Sequence, residues 1–342
     1  MSALTAFEFF FIEVPIIVFS MVFFTFTVTA VLFWTIIWFL IISPPATSNL
    51  NNSIEKFPLD GLDISLVSDE TLIKLFKTAP VLHGYQGTRI ARLSESSILK
   101  GGSGSSPCEA RILEIIAKAE PSIRVPTIHR VLKIKECFYG YKCLIWMDFV
   151  SGRLVQDCWE DLSRRERKDI ASQVATSLNI LHSISLPDQI PGPILPGPIG
   201  PYTCFARGTF FTDAGDGPFN STEHLEAWFN RRLKITQNFK QAPTDSPQFR
   251  FNKLVLTNFD IAPRNLILDL NGKVRLIDWG FSGIYPEGFD FEEISIRRSH
   301  APEFLDMVLE LIPGYEDLSK QMRTIQYALT TAQWVDYDWT RE

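Results

Sequence analysis

No lysine or arginine precedes Lys56, so the first 55 residues lack basic side chains. A cleaved leader wants a basic start and a shorter apolar stretch, whereas this start carries Glu8 and Glu13. From Val14 to Ile42 charge is missing altogether. A basic excess is lacking over the whole chain as well: the formal net charge of -6 excludes a general nucleic-acid binder, and no nucleic-acid partner is expected. Only five cysteines occur in 342 residues (Cys108, Cys137, Cys143, Cys158 and Cys204), with no CxxC pair. An odd, scattered set argues against a disulfide scaffold or zinc knuckle and fits a reducing compartment. No Gly-Lys-Ser/Thr follows Gly101-Gly102-Ser103-Gly104, so that stretch is not a Walker A loop and reads as a strand-to-helix connection. No internal repeat is visible.

What is present is apolar and aromatic: 46% hydrophobic residues, 27 Phe and 8 Trp, which excludes a disordered chain. As a helix, Val14 to Ile42 would reach about 43 Å against about 30 Å of bilayer hydrocarbon. The expectation is an N-terminal tail over 1–13, a transmembrane helix over 14–43 and a juxtamembrane linker over 44–67, with Pro44-Pro45 ending the span. The bilayer is then a partner through 14–42. The basic residues nearest the span all follow it, which favours a single-pass protein with a cytosolic catalytic domain.

Beyond the linker, Ser68 caps a helix over Asp69 to Thr78. Arg89 to Lys100 alternates as a hairpin, Pro107 starts a helix through Ala119, and Lys142 to Val150 is an apolar strand. Ser163 and Glu166 form a capping box ahead of a helix whose apolar face is Ile170, Val174, Leu178 and Leu181. Residues 187–219, rich in Pro and Gly, read as a long ordered cover. Asn220 and Glu223 are placed to cap the helix carrying Leu225, Trp228 and Leu233.

The most informative stretch is Lys253 to Gly283. Asn271-Gly272 lies between two apolar runs, the signature of a two-residue type I′ hairpin turn. That turn pairs residues whose numbers sum to 543, so Asn265 and Asp278 are expected as direct cross-strand neighbours. An amide oxygen and a carboxylate about 5 Å apart can share a hard cation such as Mg²⁺. Asp260, five residues before Asn265, adds a carboxylate beside that metal pair. Metals on the phosphates plus a carboxylate to orient a hydroxyl are the parts that phosphoryl transfer needs. Taken singly, each of the three also reads as a turn or cap residue.

The run Asn258-Phe259-Asp260-Ile261-Ala262-Pro263-Arg264-Asn265, followed by Ile277-Asp278-Trp279-Gly280, resembles the catalytic loop and metal segment of the aminoglycoside phosphotransferase (APH)/choline kinase-like family. The likeness is greatest to its fungal branch, where Pro-Arg-Asn and Ile-Asp-Trp are typical, and it extends over roughly 82–293. The resemblance implies an α+β, two-lobed protein-kinase-like fold, with a small nucleotide-binding lobe over 68–150 and a large catalytic and substrate lobe over 151–342. It implies Lys100 on the ATP phosphates, Glu109 as its helix partner, and the lobe linker from Met147 to Val150 (Asp148 and Val150 included) at the adenine. Asp260 would be the catalytic base, with Asn265 and Asp278 on Mg²⁺. The implied function is a membrane-anchored, ATP-dependent transfer of the γ-phosphate to a small-molecule hydroxyl.

Two departures weigh against full activity. The family usually has His-Gly-Asp where this chain has Asn258-Phe259-Asp260, and the nucleotide-covering loop has only Gly84 and Gly87. These favour a catalytically inactive, pseudokinase-like binding module. A protein kinase is the third reading, from Asp278-Trp279-Gly280 and Ala301-Pro302-Glu303. Against it, Ala262-Pro263-Arg264 lacks the lysine those enzymes place two residues after the catalytic Asp.

Overall fold

The computed structural model describes residues 56–335, apart from 86, 103–104, 134–142, 187–188 and 196–203. The first helix, α1 (Asp69–Thr78), starts where Ser68 accepts the Thr71 amide, and its Leu72 and Phe76 are buried. Five antiparallel strands follow: β1 (Val81–Tyr85), β2 (Thr88–Arg92), β3 (Ser97–Gly102), β4 (Ile128–Lys133) and β5 (Cys143–Asp148), in the order β1-β2-β3-β5-β4. Helix α2 (Pro107–Ala119) connects β3 to β4, with proline at its start and Ser106 accepting the Cys108 amide.

The pleat of this sheet decides what each residue meets. Side chains alternate between faces along a strand. Leu144 and Trp146 join Leu72, Phe76 and Leu99 in the core under α1. Cys143, Ile145 and Met147 form the opposite core with Ala110 of α2. Lys100 pairs with Ile145, so it lies on the α2 face, whereas Leu99 pairs with Trp146 on the α1 face. A Cβ on Gly101 would stand 2.4 Å from Leu144 Cδ2 and 2.7 Å from Phe76 Cζ, so glycine there lets α1 approach the sheet. Gly101 and Gly102 thus belong to β3, rather than to the loop expected of them.

Past β5 the chain is mostly helical. Short strand β6 (Arg153–Leu154) leads through α3 (Val155–Cys158) to α4 (Arg164–Ser183), whose capping box is formed as expected. Helix α5 (Thr222–Asn238) is capped by Ser221, which accepts the His224 amide, and not by Asn220 or Glu223. Strand β7 (Leu254–Thr257) pairs with β10 (Gly283–Pro286), while β8 (Leu266–Leu268) and β9 (Val274–Leu276) extend β6. Four helices follow: α6 (Phe289–Arg297), α7 (Pro302–Leu309), α8 (Glu316–Arg323) and α9 (Gln326–Leu329). One core packs Ile170, Val174, Leu178 and Leu181 of α4 against Phe304 and Val308 of α7. A second is aromatic, built on Phe210, Phe211, Phe229, Phe259, Tyr285 and Phe289. A sheet-rich layer followed by a largely helical part is the mixed α/β, kinase-like arrangement that the catalytic-loop motif implied.

Two expectations are corrected. Among the described residues no helix is long and apolar enough to cross a membrane. The longest, α4 with 20 residues, opens on charged side chains. The span expected over 14–43 lies outside the described residues, and the reading of a single-pass membrane protein with a bilayer partner is withdrawn on this finding. The cysteines also differ from expectation: Cys108 of α2 is joined to Cys204, with Cα atoms 7.0 Å apart. Sequence spacing could not show this pair, because 96 residues separate the two.

Candidate active site

Lys100 is a lysine in a strand interior, 6% exposed, and its charge needs partners there. It has two. Its Nζ lies 2.7 Å from Glu109 Oε1 and 2.8 Å from Asp278 Oδ1. Glu109 sits in the first turn of α2, where the helix dipole favours a carboxylate, and is fully buried. Burial opposes the lysine's charge, but the two carboxylates outweigh it and hold its pKa above the ordinary value. Glu109 is pushed up, chiefly by burial and against the pull of Lys100. Asp278 is drawn down, first by the Lys100 charge and also by Arg264. Among the described residues Glu109 Oε2 has no hydrogen-bond partner.

The route by which Asp278 reaches this cluster differs from the expected one. β8 and β9 pair Leu266 with Leu276 and Leu268 with Val274, a register one residue short of that set by a two-residue turn. Asp269 causes the slip. Its side chain accepts the amides of Asn271 and Lys273, and its own amide binds Lys273 O, which widens the loop to 269–273. Asn265 therefore stands opposite Ile277, whose amide it accepts, and not opposite Asp278. A one-residue slip turns every side chain to the other face. Asp278 escapes that fate because β9 has ended and its own φ is +59°, the left-handed region. Buried Trp279 anchors the turn, its amide on Glu109 Oε1 and its indole on Leu276 O.

Asp260 is set by a different lattice of bonds. Its amide donates to Asn258 Oδ1 (3.1 Å), and Ser282 donates to Asn258 O (2.8 Å). Asn258 thus supports the loop from the position where the motif usually has histidine. Phe259 takes a φ of +69°, which explains why that middle position is usually glycine. Its amide is held by Asp290 Oδ1 at 2.8 Å, and Asp290 Oδ2 lies 2.8 Å from His182 Nε2. Its ring packs edge-on to Phe210 and close to Tyr285. Asp260 itself is 5% exposed. Its Oδ1 accepts from Arg264 Nη2 (2.5 Å) and Arg297 Nη1 (2.7 Å), and its Oδ2 from Asn265 Nδ2 (2.8 Å). The Asn265 amide nitrogen is spent on Asp260, which leaves the amide oxygen as the end available to a cation.

Local spacing could not reveal Arg297, His182 or Asp290, which come from α4 and α6. Arg264 was in view within the motif, but its partner was not. Asp148 is placed apart from the cluster: its carboxylate takes the Thr127 amide (3.1 Å) and stands 3.0 Å from His129 Nε2. The amides of Asp148 and Phe149 are spent on Thr127 O and Ser96 O. Among the described residues the Val150 backbone has no hydrogen bond.

The structure therefore holds Lys100, Glu109 and Asp278 in one ionic cluster and Asp260 with Asn265 in another, with Arg264 touching Asp260 and lowering Asp278. The family model of the phosphotransferase enzyme family, APH, matches residues 81–310, about two thirds of the chain. The chain belongs to this family. Among solved structures similar to this APH chain is APH(2'')-Ib bound to ADP, at 14% identity, covering 80% of this chain and 94% of that one, with a TM-score of 0.48. The streptomycin–ATP complex of APH(2'')-IIa gives 15%, 78%, 93% and 0.48, in the same order. Spectinomycin phosphotransferase APH(9)-Ia with ADP and spectinomycin gives 14%, 78%, 88% and 0.46. No curated protein matches the chain.

Proposed function

We propose that this chain is an ATP-dependent phosphotransferase that moves the γ-phosphoryl group to the hydroxyl of a small molecule. The observation that carries the reading is Lys100 held at hydrogen-bond distance by both Glu109 and Asp278. A lysine buried between two carboxylates from distant segments is poised for phosphate oxygens, with Glu109 fixing its position. Val150 would meet the adenine through its backbone, while the Asp148 side chain is occupied within the fold. The lobes over 68–150 and 151–342 divide the work between nucleotide and acceptor.

The donor set fits Mg²⁺, a hard cation that takes oxygen ligands. Asp278 presents a side chain that is half exposed, and Asn265 has its nitrogen already engaged. These two residues would hold the ion, which when bound neutralises charge on the transferred group. Asp260 orients the acceptor hydroxyl and takes its proton as the new oxygen–phosphorus bond forms and the bond to the leaving diphosphate breaks. The Pro263-Arg264-Asn265 and Ile277-Asp278-Trp279 triplets support a place in the fungal branch of the family.

The inactive-module reading draws on Asp260, whose carboxylate is already engaged by three donors. Asn258, the departure that suggested inactivity, instead supports the loop. The deciding experiment measures ATP binding to the full chain with and without Mg²⁺, then turnover over a panel of hydroxyl compounds. Asp278→Ala is expected to abolish the Mg²⁺-dependent part of binding. Metal-dependent ATP binding with no turnover of any acceptor, not even slow ATP hydrolysis, would establish the inactive module.

A further inference from the structure

The surroundings of Asp260 point to the chemistry of the acceptor. Two guanidinium groups converge on one carboxylate oxygen: Arg264 from the loop after β7 and Arg297 from the end of α6. Asp260 is buried beneath them, while the Arg264 side chain is 44% exposed and that of Arg297 is 23% exposed. What faces solvent at the candidate base is therefore cationic. Arg297 also holds Glu293, which lies 2.7 Å from its Nε and is fully buried. Burial pushes its carboxyl well above the usual range, against the pull of Arg297. Arg264, the more exposed of the two arginines, presents its guanidinium at this mouth, and the half-exposed Asp278 that it also acts on is shared with Lys100.

We propose that the acceptor is an anionic alcohol, carrying a carboxylate or phosphate close to its hydroxyl, and that Arg264 binds that anion. This rests on the phosphotransferase reading for the acceptor's fate, but not for the anion site itself. Guanidinium is the side chain suited to such groups, because its fork of N–H donors matches two oxygens at once. The exchange also frees the base. With both arginines on Oδ1, that oxygen has its lone pairs occupied. When Arg264 turns to the incoming anion, Oδ1 regains a lone pair for the acceptor hydroxyl. Transfer then proceeds with a simple balance: the hydroxyl proton passes to Asp260, the hydroxyl oxygen bonds the γ-phosphorus, and the nucleoside diphosphate leaves. A polycationic acceptor meets the opposite situation, since its ammonium groups would be brought against Arg264 and Arg297.

The test compares four acceptors with the full chain and Mg-ATP: glycerate, glycerol 3-phosphate, glycerol and kanamycin. Phosphorylated product is followed directly. We expect kcat/KM for at least one anionic acceptor to exceed that for glycerol by tenfold or more, with kanamycin not phosphorylated. The glycerate and glycerol 3-phosphate arms identify which anion is preferred. Arg264→Gln should raise KM for the anionic acceptor and collapse its advantage over glycerol, and Arg264→Lys should restore part of it. A purely structural role for Arg264 would lower kcat for glycerol and the anion alike, and would overturn the proposal. Equilibrium binding of glycerate and glycerol 3-phosphate, with a non-hydrolysable ATP analogue present, supplies a readout independent of turnover. Anion binding lost in a folded Arg264→Gln variant sustains the anion site even if no acceptor is phosphorylated, in which case the phosphotransferase reading fails alone. Binding absent from the wild type, binding unchanged by Arg264→Gln, or preference for glycerol or kanamycin refutes the proposal.

Discussion

Replacing Lys100 by methionine tests the ionic cluster most directly, because it keeps the apolar stem and deletes the charge. Glu109 would then lie fully buried, with one oxygen already unpartnered among the described residues and its cation gone. Losing one partner of a buried ion pair costs about 3–5 kcal/mol if the other stays charged. Glu109 has a cheaper exit, which is to bind a proton. With an unfolded-state pKa near 4.3, protonation at pH 7 costs about 3–4 kcal/mol, at about 1.4 kcal/mol per pH unit. At pH 5 the same step costs about 1 kcal/mol. Asp278 adds little, since its side chain is half exposed and solvent screens it. The sign follows from linkage. A carboxyl whose folded pKa is raised contributes full stability below its unfolded pKa and loses it as pH rises towards the folded value. Lys100→Met should therefore lose about 3 kcal/mol at pH 7 and about 1 kcal/mol at pH 5, read by urea denaturation at both pH values. Adding Glu109→Gln should recover most of the loss at pH 7, a coupling of about 2 kcal/mol. A loss below 1 kcal/mol at pH 7, or one that is the same at both pH values, would show that the two side chains are not paired as described.

Asp260→Asn should leave ATP binding nearly intact and depress turnover by about 10²-fold or more, measured as product formation with any competent acceptor. Gly208→Ala should destabilise the protein by about 2–3 kcal/mol in thermal or urea unfolding, because a strained φ and overpacking act together. Its φ is +114°, and an added Cβ would stand 2.7 Å from the Phe259 ring, which fixes the approach to Asp260.

Much of the site's raw material was legible because it is local. The start of α1 at Ser68, the limits of α2 and the capping box of α4 all depend on side chains within one turn of the helix end. The Asp260-to-Asn265 spacing and the downstream Asp278 were legible for the same reason. Lys100 and Glu109 came by resemblance, and the pleat supplies the physical cause of their meeting: Lys100 and Ile145 share the face that α2 covers.

Register and long-range partners were decided only in three dimensions. Asn271-Gly272 favours a two-residue turn, but Asp269, by accepting two amides, wins a wider loop and shifts the pairing by one. The left-handed Asp278 then returns its carboxylate to Lys100, an outcome that no strand periodicity encodes. Phe259 tolerates positive φ because Asp290 from α6 holds its amide and an aromatic core holds its ring. Arg297 reaches Asp260 from 37 residues away. The sequence by itself therefore determined the spacing of the proposed site residues and the short elements that bear them, since caps, turns and apolar periods act over a few residues. Tertiary structure decided which face each residue shows and which charges meet, because those outcomes depend on packing between elements that are distant in the chain.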